Sequence, residues 1–279
     1  MSVPEPPPDE AIAAVLRSMP EFLPGHVWLT GAGPAGPASL TIEALSGIRR
    51  ADVIVYDALV DQDIVALARP DARLEFAGKR GGRPSAQQAD ISARLVTLAQ
   101  DGLRVLRLKG GDPFIFGRGG EEIFALAKAG IPFRVIAGVT AGLSALTAAS
   151  IPATMRGINQ AIILATGHGA ADTGDTLWHT LARSRQPLVI YMAMSNLDAI
   201  SRALIAGGLP SETPTALIAS AGLPKQRVLV STLASVVDQA RAESMEPPAI
   251  LVVGAIVALR QQLMDLVNSH PAGPQSTGA

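Results

Sequence analysis

Three glycines, Gly31, Gly33 and Gly36, stand in the spacing G-x-G-x-x-G within V27-W-L-T-G-A-G-P-A-G-P-A-S-L-T41. An apolar run precedes them and a helical pattern follows. A loop of this kind can lay backbone N–H groups on the pyrophosphate of a flavin or nicotinamide cofactor. Asp57 ends the next strand pattern about 25 residues on, where a dinucleotide fold sets its ribose carboxylate. Ala165-Thr166-Gly167 also reads like the A-T-G stretch of some flavoproteins. Two features oppose a dinucleotide. Pro37 directly follows the third glycine, and Leu40 stands where a small residue would let helix and strand pack closely. No later residue offers an acid for the hydride side. The spacing alone leaves a cofactor loop and a purely structural turn both open.

A second candidate is R107-L-K-G-G-D-P-F-I-F-G-R-G-G-E-E122. The run ends a strand, turns through Gly110 and Gly111, and starts a helix at Glu121-Glu122. The two glycines let the backbone come close to a ligand. Asp112 then sets a carboxylate at the carboxyl end of a parallel strand, where α/β sheets bind ligands.

The elements that must hold these residues follow an α/β alternation. Strand patterns lie at Val27–Thr30, Asp52–Tyr56, Arg73–Phe76, Arg104–Leu108 and Phe133–Ile136, with helical stretches near 39–50, 62–68, 87–101 and 120–129. This predicts βαβ units and a parallel sheet. A Gly/Thr/Pro-rich region at 138–157 separates a second set: Ala161–Ala165, Leu188–Tyr191, Ala216–Ile218, Arg227–Val230 and Ile250–Val253. The short connection from 218 to 227 suits a hairpin, so the second sheet is expected to be mixed. The expected layout is an N-terminal arm at 1–24, an α/β domain at 25–137, a second at 138–264 and a disordered tail at 265–279.

Composition narrows the classes. Hydrophobic residues make up 48% of the 279 residues and charged residues 17%, which is ample for a core. The net charge of −1 argues against a nucleic-acid partner. With no cysteine there is no disulfide, thiolate metal site or cysteine nucleophile, and the four histidines show no metal-ligand spacing. No apolar run reaches the ~18 residues of a membrane helix. The start, M-S-V-P-E-P-P-P-D-E, lacks a signal-peptide pattern. A cytoplasmic protein with no membrane partner is expected. Lysine occurs at four positions only, so arginine dominates the 23 cations; guanidinium forks suit carboxylate ligands.

Taken in order, the motifs resemble those of the tetrapyrrole methylase family, and within it the uroporphyrinogen-III C-methyltransferases. They are G-A-G-P after the first strand, V-I-V-Y-D-A-L-V at 53–60, G-K-R-G-G at 78–82, the 107–122 run, G-V-T-A-G at 138–142 and Y-M at 191–192. The resemblance runs from about Val27 to Arg260. It implies two α/β domains with the active site in the interdomain cleft, a homodimer and no metal. The reaction it implies moves two methyl groups from S-adenosylmethionine to C2 and C7 of uroporphyrinogen III, giving precorrin-2 and S-adenosylhomocysteine. The chain is expected to carry no dehydrogenase–ferrochelatase module ahead of it, so the reaction is expected to stop there.

The same resemblance assigns residues. Asp57 is the catalytic carboxylate and Lys79 its partner. Pro34, Gly110, Gly111, Asp112, Ile115, Thr140, Ala141, Met192 and Ala221 are carried over as cofactor contacts, with Asp112 on the amino group of the methionine part. Arg80 and Arg156 are cations for a substrate with eight carboxylates. The chain departs from the family at three places. Ala35-Gly36 replaces a G-D pair, Met155 a histidine, and Ala219-Ser220-Ala221-Gly222 an E-N-G-T segment. Position 155 then reads as an apolar packing residue. A sister precorrin methyltransferase, a flavin or nicotinamide oxidoreductase and a non-catalytic tetrapyrrole-binding protein are the alternatives.

Overall fold

Short, mostly apolar runs, each followed within two residues by glycine or aspartate, make the strands of the first unit. The computed structural model describes residues 8–78, 88–169 and 175–269, and the chain divides into two units between Ala141 and Gly142. In the first unit the elements are α1 (Pro8–Arg17), β1 (Val27–Gly31), α2 (Ile42–Arg50), β2 (Val53–Tyr56), α3 (Gln62–Val65), β3 (Arg73–Phe76), α4 (Gln88–Gln100), β4 (Val105–Lys109), α5 (Gly119–Lys128) and β5 (Phe133–Ile136). The five strands form one sheet in the order β3-β2-β4-β1-β5, with every pairing parallel.

The alternation along each strand sorts its side chains onto two faces. Trp28, Ile54, Leu106 and Leu108 pack with Ala44 and Ile48 of α2 and Ile64 of α3. Val27, Val53, Val55 and Val105 pack with Leu95 and Leu98 of α4 and Leu126 of α5. Helices on both faces suit a parallel sheet, which tolerates no wet side. The segment before β1 is tied to this unit. Phe22 is buried and stacks on Trp28 with centroids 4.2 Å apart, and Arg50 donates to the carbonyls of Leu16 and Pro20 at 3.0 and 2.8 Å.

Strand order decides against the dinucleotide fold. That fold runs 3-2-1-4-5-6, with β1 beside β2. Here β4 lies between them. The loop after β1 differs as well. Pro37–Ser39 form a single 3-10 turn, Leu40 is extended, and α2 begins only at Ile42. The side chain of Thr41 caps it, accepting from the Ala44 N–H at 3.1 Å. The helix expected from residue 39 therefore starts three residues later.

The second unit contains α6 (Ala141–Ala148, which opens at the boundary), β6 (Ile163–Thr166), α7 (Asp175–Ser184), β7 (Leu188–Tyr191), α8 (Leu197–Ala206), β8 (Pro214–Ala219), β9 (Arg227–Thr232), α9 (Val236–Ala242), β10 (Ala249–Val253) and α10 (Ala258–Ser269). Its sheet has the order β6-β7-β10-β8-β9. β6 and β7 are parallel, while β7–β10, β10–β8 and β8–β9 are antiparallel. The expected hairpin is the β8–β9 pair, and the sheet is mixed. One face packs against α7, α8 and α9 through Trp178, Ile200, Leu204 and Val236. The last helix continues to Ser269, so the tail expected to be disordered from 265 is helical over its first five residues. The side chain of Arg260 on that helix donates to the Ala149 carbonyl.

Candidate functional site

The ends of β1, β4 and β5 in the first unit meet so closely that no side chain fits between them. A Cβ on Gly31 would lie 2.5 Å from the Gly111 carbonyl oxygen and 2.6 Å from both Cα and N of Gly138. Gly33 and Gly111 bridge the two turns through reciprocal N–H···O bonds of 3.1 and 2.8 Å. Both have positive φ, 73° and 69°, a conformation glycine adopts without cost. Gly36 meets nothing within 4 Å. The first two glycines of the motif are thus explained by backbone crowding, and the third is not used in packing. The hydroxyl of Ser39 donates to the Gly36 carbonyl at 2.8 Å and closes this loop on itself.

Asp112 follows this junction. Its Oδ1 accepts from the Phe114 N–H at 2.8 Å and its Oδ2 from the Gly138 N–H at 3.1 Å. The carboxylate ties the 110–114 turn to the end of β5. Beyond it, Phe116 and Arg118 hold φ of 51° and 57°, uncommon for residues with a side chain. Leu59, Phe114, Phe116 and Val139, on loops of the same unit, are each exposed.

Asp57, the first residue after β2, is 28% exposed. Arg107 Nη2 donates to its Oδ1 at 2.6 Å, and Lys109 Nζ lies 3.6 Å from its Oδ2. Both cations come from β4, two residues apart and therefore on one face. Behind them sits Glu122 of α5, wholly buried. Its Oε1 accepts from Arg107 Nε at 2.9 Å and from Gln88 Nε2 at 2.9 Å. Lys109 Nζ stands 3.4 Å from Oε1 and 3.3 Å from Oε2; the Oε2 approach is an ion-pair distance without hydrogen-bond alignment. Burial alone would lower the pKa of Arg107, but Asp57 and Glu122 outweigh it and hold the guanidinium above its ordinary value.

In the second unit the Tyr191 hydroxyl accepts from the Gly142 N–H at 3.0 Å, near the start of α6. Met192 follows β7 with φ of 52° and is 47% exposed. Ala221 is half-buried in the β8–β9 turn, between Ser220 and Gly222, both at positive φ. The Gln226 side chain closes that turn, accepting from the Gly222 N–H at 2.7 Å and donating to the Ala148 carbonyl. Arg156 is exposed on a loop stapled by Asn159, which accepts from the Met155 N–H and donates to the Ala153 and Ala161 carbonyls, each at 3.0 Å. Met155 is 47% exposed and does not pack inward.

The sequence model of the tetrapyrrole (corrin/porphyrin) methylases matches residues 26–237. The chain belongs to this family. A uroporphyrinogen-III C-methyltransferase of Sinorhizobium sp is 51% identical over 251 residues, 89% of this chain and 90% of that protein. The siroheme synthase of Hahella chejuensis is 46% identical over 239 residues, 86% of this chain but 51% of that protein. The chain spans about half the length of that relative. The crystal structure of a uroporphyrin-III C-methyl transferase from Thermus thermophilus complexed with S-adenyl homocysteine has a TM-score of 0.71 at 34% identity, covering 84% of this chain and 99% of that one.

Among the family residues assigned from sequence, the first unit brings Pro34, Asp57, Gly110, Gly111, Asp112 and Ile115 to turns at the carboxyl ends of its parallel strands, and Thr140 and Ala141 to the turn after β5. Lys79 and Arg80 lie outside the described residues. Arg156, Met192 and Ala221 belong to the second unit. Sequence reasoning quoted Arg107, Lys109 and Glu122 without assigning them a role. The available signal was R-x-K in a run predicted as a buried strand: two charges on one face of such a strand demand carboxylate partners. Among the described residues no group of three His, Asp or Glu side chains could hold a metal ion, and no helix is long and apolar enough to cross a membrane.

Proposed function

We propose that this protein is an S-adenosylmethionine-dependent C-methyltransferase that methylates uroporphyrinogen III at C2 and C7, giving precorrin-2 for sirohaem or cobalamin. The near-end-to-end likeness to the Sinorhizobium methyltransferase carries the reading. The methylase residues fit the cofactor at a testable point. The Asp112 carboxylate has about four lone-pair positions and uses two on backbone N–H groups. The other two can accept from the ammonium of a methionine moiety.

Bound S-adenosylmethionine supplies a methyl group already activated on its sulfonium. The chain therefore needs to align and desolvate rather than to attack. That accounts for turns built of Gly110, Gly111, Pro34 and Ile115, with backbone amides near Thr140 and Ala141. Asp57 Oδ2 accepts hydrogen bonds from pyrrole N–H groups and takes up the one proton the macrocycle loses at each methylation, releasing it to solvent between the two. Lys79 is its partner in this reading. Arg80 and Arg156 meet substrate carboxylates, and Met192 and Ala221 contact the cofactor. A homodimer belongs to the same reading; sedimentation would give twice the chain mass of 28.8 kDa.

The test is incubation with S-adenosylmethionine and uroporphyrinogen III under anaerobic conditions. The tetrapyrrole should gain the mass of two methylene units, with two S-adenosylhomocysteines released for each macrocycle. An unchanged macrocycle would refute the assignment.

A further inference from the structure

The reaction proposed above uses Asp57 and leaves three buried charges without a task. β4 is an inner strand, flanked by β2 and β1, and inner strands of parallel sheets are normally apolar on both faces. It nonetheless carries Arg107 and Lys109, 1% and 4% exposed, opposite the fully buried Glu122. Buried ion clusters of this kind seldom add stability over apolar residues of the same volume. Fold stability therefore gives no reason for these three charges.

Their arrangement gives one. Only Asp57 opens to solvent. Each of its oxygens faces a different cation, Oδ1 on Arg107 at 2.6 Å and Oδ2 on Lys109 at the looser 3.6 Å. The guanidinium is fixed on every side. Nε donates to Glu122, and Nη1 lies 3.3 Å from the carbonyls of Val55 and Leu108, in the sheet itself. The stem of Lys109 runs under the 113–119 loop, where a Cβ on Gly117 would sit 3.4 Å from its Cε.

We propose that Arg107 and Lys109 are positioning residues for Asp57, anchored from behind by Glu122, and that they turn Oδ2, the less tightly held oxygen, toward the ligand. The inference rests on the methyltransferase reading of Asp57. A carboxylate misplaced by about an ångström can cost up to about a hundredfold in rate.

The experiment compares the wild-type protein with Lys109→Met, Lys109→Arg and the charge-balanced double variant Arg107→Met with Glu122→Met. Each is assayed for precorrin-2 formation and for S-adenosylhomocysteine affinity by calorimetry. The double variant should fold and bind S-adenosylhomocysteine within about twofold of wild type, while kcat falls at least about tenfold. Lys109→Met should lower kcat without changing the KM for S-adenosylmethionine, and Lys109→Arg should recover part of the loss. A double variant turning over within twofold of wild type would overturn the proposal. So would one that fails to fold with its charges balanced, because the cluster would then serve the fold. No product from the wild-type protein would instead defeat the methyltransferase reading, and this inference with it.

Discussion

Replacing Gly31 by alanine would test the junction of β1, β4 and β5. The added Cβ meets the Gly111 carbonyl oxygen at 2.5 Å and the Gly138 Cα and N at 2.6 Å. Ordinary contact begins at about 3.5 Å, so the backbone at Gly111 and at Gly138 must each retreat by close to an ångström. Neither is a flexible side-chain end. Overpacking of this sort costs typically about 1–3 kcal/mol. Retreat of Gly111 also stretches its two bonds to Gly33, each worth about 1 kcal/mol net. The expected loss is about 2–4 kcal/mol. For a chain of this size that lowers the melting midpoint by roughly 5–15 °C. Gly36→Ala is the internal comparison. Gly36 has φ −70° and open space around it, so alanine should be neutral or stabilise by a few tenths of a kcal/mol. Calorimetric melts of the two variants decide the matter. Equal destabilisation by both, or loss confined to Gly36→Ala, would refute the crowding account.

Asp57→Asn should keep the fold and S-adenosylhomocysteine affinity but lower turnover at least about tenfold, since it removes charge and the basic oxygen; wild-type turnover would remove Asp57 from proton handling. Asp112→Ala should weaken S-adenosylhomocysteine by about 1.5–3 kcal/mol, measured by calorimetry, and unchanged affinity would contradict its role. Arg156→Ala, on an exposed loop, should raise the KM for uroporphyrinogen III and leave the cofactor constant alone; equal losses for both would point to general damage. Glu75 gives a pH dependence. The Arg94 hydrogen bonds outweigh its burial, with help from Arg73, and lower its pKa on folding. Its contribution is present above the unfolded value near 4.3 and is lost as pH falls through the lower folded value. Wild type should therefore lose slightly more stability than Glu75→Gln between pH 5 and about 3, by under about 1 kcal/mol for so exposed a pair; equal loss in urea titrations would contradict this.

The strands were legible because each is a short apolar run closed by turn residues. Arg73–Phe76, Phe133–Ile136 and Leu188–Tyr191 fall where the pattern puts them, and others differ by one or two residues at their ends. The hairpin was legible from the shortness of the 218–227 connection. The strand order was not, since nothing local says that β4 inserts between β1 and β2. The pairing of Arg107 with Asp57, fifty positions apart, was hidden for that reason. So was the crowding of Gly31 against Gly138. The glycine spacing alone suggested a cofactor loop because it records where the backbone is crowded, not by what. Conversely, Asp112 and Asp57 stood out as carboxylates at strand ends, and both lie there. The roles proposed for them toward the cofactor and the tetrapyrrole rest on the motifs they sit in.

The most direct test of the account uses S-adenosylmethionine labelled with carbon-13 in its methyl group. After turnover with uroporphyrinogen III, carbon NMR of the isolated macrocycle should show two enriched methyl signals, each bonded to a quaternary ring carbon that also bears an acetate. Label on nitrogen, on carboxylate oxygen as an ester, or absent from the macrocycle would contradict the account.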